Sequence, residues 1–167
     1  MDITHHATGT HYPSMAHWLS ASSDKPRAVR ALWAQGQTAA LINGRLWDTV
    51  EVPLGLSSLT STYLAYRGRH VGPHLLSGAE HSAWWLVGAG RGEELAGIET
   101  VTVLPAGAPL PMPAPGAYSG GRLWILPEAT TDDPRPWMRL TSAAALRVAA
   151  AEAAQARPLA YRPDRPS

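Results

Sequence analysis

The stretch LINGRLWDTVEVP, residues 41–53, decides how this chain is read. Asn43-Gly44 stands between two apolar runs, and Asn-Gly is the strongest short signal for a hairpin because both turn residues must take positive φ. The spacing therefore predicts two strands joined at that dipeptide. From Leu46 onward the residues alternate: Leu46, Asp48, Val50 and Val52 share one face, and Trp47, Thr49 and Glu51 the other. An aspartate on the apolar face of a central strand is costly unless it is paired, protonated or bound to a metal. Asp48 is thus the first candidate for chemistry.

Upstream, the pattern predicts two short helices. Ser14 is placed to cap the first, which carries Met15, Trp18 and Leu19 on one face. The second has Pro26 in its first turn, Val29, Leu32 and Trp33 as its stripe, and Gly36 as its stop. Residues 1–13, with His5, His6 and His11, show no periodicity and read as a leader. These histidines and His17 invite a metal reading, but no carboxylate or cysteine stands at ligand spacing, so no metal is the expectation.

Downstream, residues 54–66 suit an amphipathic helix ending at Gly68, and 71–76 a short strand with a turn at Ser77-Gly78. Residues 81–87 form a strong strand and 92–97 a helical turn. Residues 99–104 alternate as a further strand. The segment 105–121 is rich in proline, and Leu110 and Met112 within it are expected at a sheet edge, where proline is tolerated. Residues 122–126 give the last strand, and the alanine-rich run 141–155 the best helix. A proline-rich tail covers 157–167. The sum is one α+β domain over 14–156, with a mixed or antiparallel central sheet of about five to seven strands flanked by helices at both ends of the chain.

Composition narrows the function classes. The chain has 167 residues, enough for one well-built core. Its net charge is +1, without the basic excess that duplex nucleic-acid binding draws on, so weak or no duplex binding is expected. Cysteine is absent, which removes disulfides and thiol chemistry and suits an intracellular protein. No apolar run reaches membrane-spanning length, and the first residues lack the features of a secretory signal. A cytoplasmic location without membrane contact is the expectation.

A set of short words spread over residues 14–155 carries a resemblance: WLSASS at 18–23, ALWA at 31–34, GRLWDTVEVP at 44–53, Gly72-Pro73, HSAWWLV at 81–87, LPMP at 110–113 and GGRLWILP at 120–127. In these words and in the order of its elements the chain is similar to the polymerase core of the archaeo-eukaryotic primase superfamily. Within that superfamily it resembles the short actinobacterial proteins described as primase-polymerase-like. The resemblance implies an acid-x-acid pair on one strand that holds divalent metal beside a nucleoside triphosphate. It also implies a histidine at the start of a later strand that meets nucleotide phosphates, and a third acidic residue further on. His81 matches the histidine, and Glu99 stands where the third acid would fall.

The first motif departs from that pattern. Two carboxylates share a strand face only at i, i+2. Asp48 has Val50 at that spacing, Glu51 has Pro53, and Asp48 and Glu51 face opposite ways. The expectation is therefore a catalytically degenerate domain kept as a nucleotide- or nucleic-acid-related binding or regulatory module. It has no resident cofactor, and Mg²⁺ or Mn²⁺ enters only if the ancestral activity survives. Its ligand residues would be His81, Arg67, Arg69, Arg122 and Trp84. Two other classes stand beside it. One is a small metal-independent enzyme using Asp48, His81 and Glu99 for acid–base chemistry on a small molecule, with these groups around a common point. The other is a structural protein forming a homodimer through an exposed tryptophan and the proline-rich segment. Alternation puts Trp84 and Trp85 on opposite sheet faces, so one belongs to the core and the other is free to act as a platform or interface anchor.

Overall fold

Asn43 and Gly44 join two strands, but those strands do not pair with each other. In the computed structural model, which describes residues 12–156, β1 (Ala39–Ile42) pairs antiparallel with β6 (Pro109–Met112), and β2 (Trp47–Pro53) pairs with β4 (Ser82–Gly88) and β5 (Thr102–Val103). The expected hairpin is a crossover between two sheets. Only Gly44 has positive φ, at 85°, so the two-residue turn that needs both residues there does not form. Asn43 is instead a buried hub. Its amide donates to the carbonyls of Leu104 and Pro105, its side-chain oxygen accepts from the Thr49 N–H, and its backbone bonds Gly107 and Ala108. A Cβ on Gly44 would stand 2.9 Å from that of Ala106, so glycine is required by close approach as well as by φ.

The remaining strands are β3 (His74–Ser77), β7 (Tyr118–Ser119) and β8 (Arg122–Ile125). The central sheet runs β5-β2-β4-β3-β8-β7, and every pairing is antiparallel. The strand expected over 99–104 shrinks to two residues, because Thr100 takes φ 71° and turns the chain away. The helices are α1 (Tyr12–Ser20), α2 (Pro26–Ala34), α3 (Leu54–Tyr66) and α4 (Ala143–Ala156), and two 3-10 turns cover Gly92–Leu95 and Pro136–Met138. Ser14 lies inside α1 rather than capping it. The fold is α+β, with helices near both ends of the described chain. Residues 1–11, most of the expected leader, and the tail from 157 lie outside the described residues, and no helix among those described is long and apolar enough to cross a membrane.

The central sheet is covered on both faces. On one, Trp47, Leu75, Trp84, Leu86 and Trp124 pack against α1, α2 and the small β1–β6 sheet. On the other, Val50, Val52, Trp85 and Val87 pack against α3 and α4. Neither Trp84 nor Trp85 is therefore a free platform: they are 3% and 0% exposed. The proline-rich strand is fixed by its carbonyls. Pro111, Met112 and Pro113 accept in turn from Arg122, the Trp33 indole and the Trp124 indole. Proline supplies no N–H to a ladder, so side-chain donors to the carbonyls complete what backbone pairing leaves open.

Candidate functional site

Asp48 faces the α3–α4 side of the sheet with Val50 and Val52, and Glu51 faces the other, as alternation requires. Asp48 is half-buried, and its Oδ2 accepts at 2.8 Å from the N–H of Gly92, the first residue of the first 3-10 turn. A Cβ on Gly92 would come within 3.0 Å of Asp48, so the two are fitted to each other. Glu51 accepts from Ser82 Oγ at 2.7 Å. Arg45 turns away to Asp24, at 2.6 Å.

The groups expected around a common point are spread apart. His81 is exposed, takes φ 53°, and closes the β3–β4 turn, its carbonyl accepting from the Leu54 N–H at 2.9 Å. Pro53 pairs with Ser82, beside His81, whereas Asp48 pairs with Val87. Five residues of extended strand separate those two pairs, about 17 Å at ~3.3 Å per residue. Glu99 is exposed in the turn before β5. The acid–base constellation of Asp48, His81 and Glu99 does not assemble. Among the described residues, no three His, Cys, Asp or Glu side chains converge in a metal-holding group.

The expected ligand set splits between the two faces. Arg122 is buried on the Trp47 side, where its guanidinium lies 4.3 Å from the Trp84 ring centre and makes a two-pronged contact with Glu80, at 2.7 Å to each oxygen. That contact holds the Glu80 carboxyl below the ordinary carboxylate range. With the Pro111 carbonyl also bound, this cation joins the β3–β4 turn to the small sheet. Arg122 and Trp84, expected among the ligand residues, are here partners of each other, and Arg122 of Glu80, on the sheet face opposite Arg67 and Arg69.

Arg67 and Arg69 lie on the opposite side, at the mouth of a groove of about 280 Å³ between α3 and α4. The sequence builds it in two steps. Helix α4 presents Ala144, Ala145 and Ala149 toward α3, and their methyls are too small to fill the space between the helices. Helix α3 ends in a Schellman motif: Gly68, at φ 62°, donates to the Ala65 carbonyl and Arg69 to the Leu64 carbonyl. The chain reverses there and leaves both arginines beside the groove. Tyr63 forms one wall, with the Arg67 guanidinium 5.8 Å from its ring centre, and Ser142 caps the start of α4 through the Ala145 N–H. Arg67 is ion-paired with Glu152 across the two helices, whereas the exposed Arg69 side chain makes no hydrogen bond or ion pair among the described residues.

Tyr63, Ser142, Ala145 and Val148 were not legible as site residues in the sequence. The alanine run reads as helix propensity, and only the packing of α3 against it reveals an unfilled trough. No protein-family model, curated protein or solved structure matches the chain.

Proposed function

We propose that this protein is a binding module for an anionic ligand of the nucleotide class, taken in the α3–α4 groove, and not a nucleotidyl transferase. The observation that carries the reading is the placement of Arg67 and Arg69 together at the mouth of a recess with an aromatic wall. Guanidinium groups match phosphate oxygens with two N–H donors at once, and a tyrosine ring offers a base or sugar an apolar face. The amino end of α4 opens onto the same groove and adds a favourable dipole. The opposed faces of Asp48 and Glu51 count against metal-dependent transfer, and the separation of Asp48 from His81 counts against the acid–base alternative.

Calorimetric titration with a nucleoside triphosphate, at low salt and with divalent ions chelated, tests it. Binding is expected, with affinity falling as salt rises and dropping about tenfold in Arg69→Ala through loss of a charged hydrogen-bond donor. The absence of heat with every nucleotide tried, or equal affinity in Arg69→Ala, overturns it.

A further inference from the structure

The two arginines of the groove are not equivalent. Arg69 is free to meet a ligand, but Arg67 is occupied by Glu152, reached from the third turn of α4. The pair joins the end of α3 to α4 at the edge of the groove that Arg67 lines: Arg67 lies beside the Tyr63 ring, and Glu152 stands one turn beyond Val148 and Ala149, which line the recess. Both side chains are about two-fifths exposed, at 41% and 39%, so their attraction is screened and the contact is readily exchanged.

Resting on the reading of the groove as an anion site, we propose that Glu152 is an internal competitor that occupies Arg67 until a multiply charged ligand displaces it. A ligand bearing a single negative charge is satisfied at Arg69. A second negative group is needed to replace the Glu152 carboxylate on Arg67, so the groove favours a di- or triphosphate chain. Removing the carboxylate charge spares the ligand both this exchange and the repulsion of its own phosphates by Glu152. The geometry also gives Glu152 little structural weight, because exposed pairs of this kind contribute little to stability.

The test is titration of inorganic triphosphate into wild type, Glu152→Gln and Asp24→Asn at low ionic strength. Asp24 belongs to an exposed ion pair in the segment before α2, in the other layer, and its substitution removes the same unit of charge far from the groove. The expected result is an affinity about threefold to tenfold higher in Glu152→Gln, with Asp24→Asn within twofold of wild type and melting temperatures unchanged. If wild type binds and Arg69→Ala weakens it, but Glu152→Gln matches or falls below wild type, the competitor role is overturned and the groove reading stands. An equal gain in Asp24→Asn also overturns it, since net charge would then account for the effect. If neither wild type nor Glu152→Gln binds, both proposals fall.

Discussion

The two faces of the central sheet are finished in different ways. On the Trp47 side, buried donors close onto acceptors: Arg122 onto Glu80 and Pro111, Trp33 onto Met112, and Trp124 onto Pro113. On the α3–α4 side the packing stops short, and alanines leave a groove with two arginines at its mouth. Arg67, Arg69 and Arg122 are the same residue type and belong to one expected ligand set. What separates them is how many partners the fold has already given each. A guanidinium stacked on an indole, held by a carboxylate and a carbonyl and 11% exposed has little surface left for a ligand, whereas one at an open helix end keeps such surface.

The largest effect should come from breaking the closed face. Arg122→Ala removes the stacking on Trp84, unpairs Glu80 and leaves the Pro111 carbonyl without its donor. It is expected to cost about 2 kcal/mol in denaturant unfolding, below the range for breaking a fully buried ion pair because the Glu80 side chain is 44% exposed. A change below about 0.5 kcal/mol, the scale of an ordinary surface substitution, would place Arg122 with the groove arginines.

A smaller effect is expected at Asp48, the acid on the apolar face of β2. Its carboxylate accepts one N–H of a 3-10 turn, so Asp48→Ala should cost about 1 kcal/mol, the usual net weight of one hydrogen bond. Nucleotide affinity should not change. If titration instead shows ligand binding lost while stability is kept, Asp48 belongs to a site and not to the support of that turn.

The mildest perturbation is pH. His74, buried on the α3–α4 side, stacks on Trp85 with ring centres 4.0 Å apart, and its Nδ1–H donates to the Gly72 carbonyl. Burial pushes its pKa below the ordinary 6.5, against a weaker upward pull from that hydrogen bond. The unfolded chain therefore takes up the proton first as pH falls. The stabilisation is complete above about pH 6.5 and is lost as pH drops toward the lowered folded value. Glu80 acts in a separate window: its lowered pKa gives stability that is present above about 4.5 and lost as pH falls through the lower folded value. Melting temperature should thus decline between pH 7 and 5 in wild type, and decline less in His74→Phe, which keeps the stacking. Parallel profiles would remove His74 as the cause.

Much of the fold was legible because periodicity and burial follow the same physics. The alternation of 47–52 placed Trp47 and Val50 on opposite faces correctly, and the stops at Gly36 and Gly68 marked real helix ends. The Asn43-Gly44 hairpin failed for an identifiable reason. A local turn signal carries no information about which strand each arm pairs with, and the long-range demands of Leu104, Pro105 and Ala108 on Asn43 decided its conformation. Site residues were harder. His81, expected to begin the strand over 81–87, falls one residue before it in the β3–β4 turn, and a turn with positive φ needs only a residue that tolerates it. The groove was invisible because it is made by side chains that are small, and an absence of volume leaves no motif.

The central claim is that ligand enters between α3 and α4. Amide chemical-shift mapping during titration with a nucleoside triphosphate locates the contact directly. The account predicts that shifts concentrate at residues 63–70 and 142–149, while the β3–β4 turn around His81 and the Gly92 amide bound by Asp48 stay fixed. Shifts centred on residues 78–82 or on Gly92, with the α3–α4 amides unmoved, would contradict it.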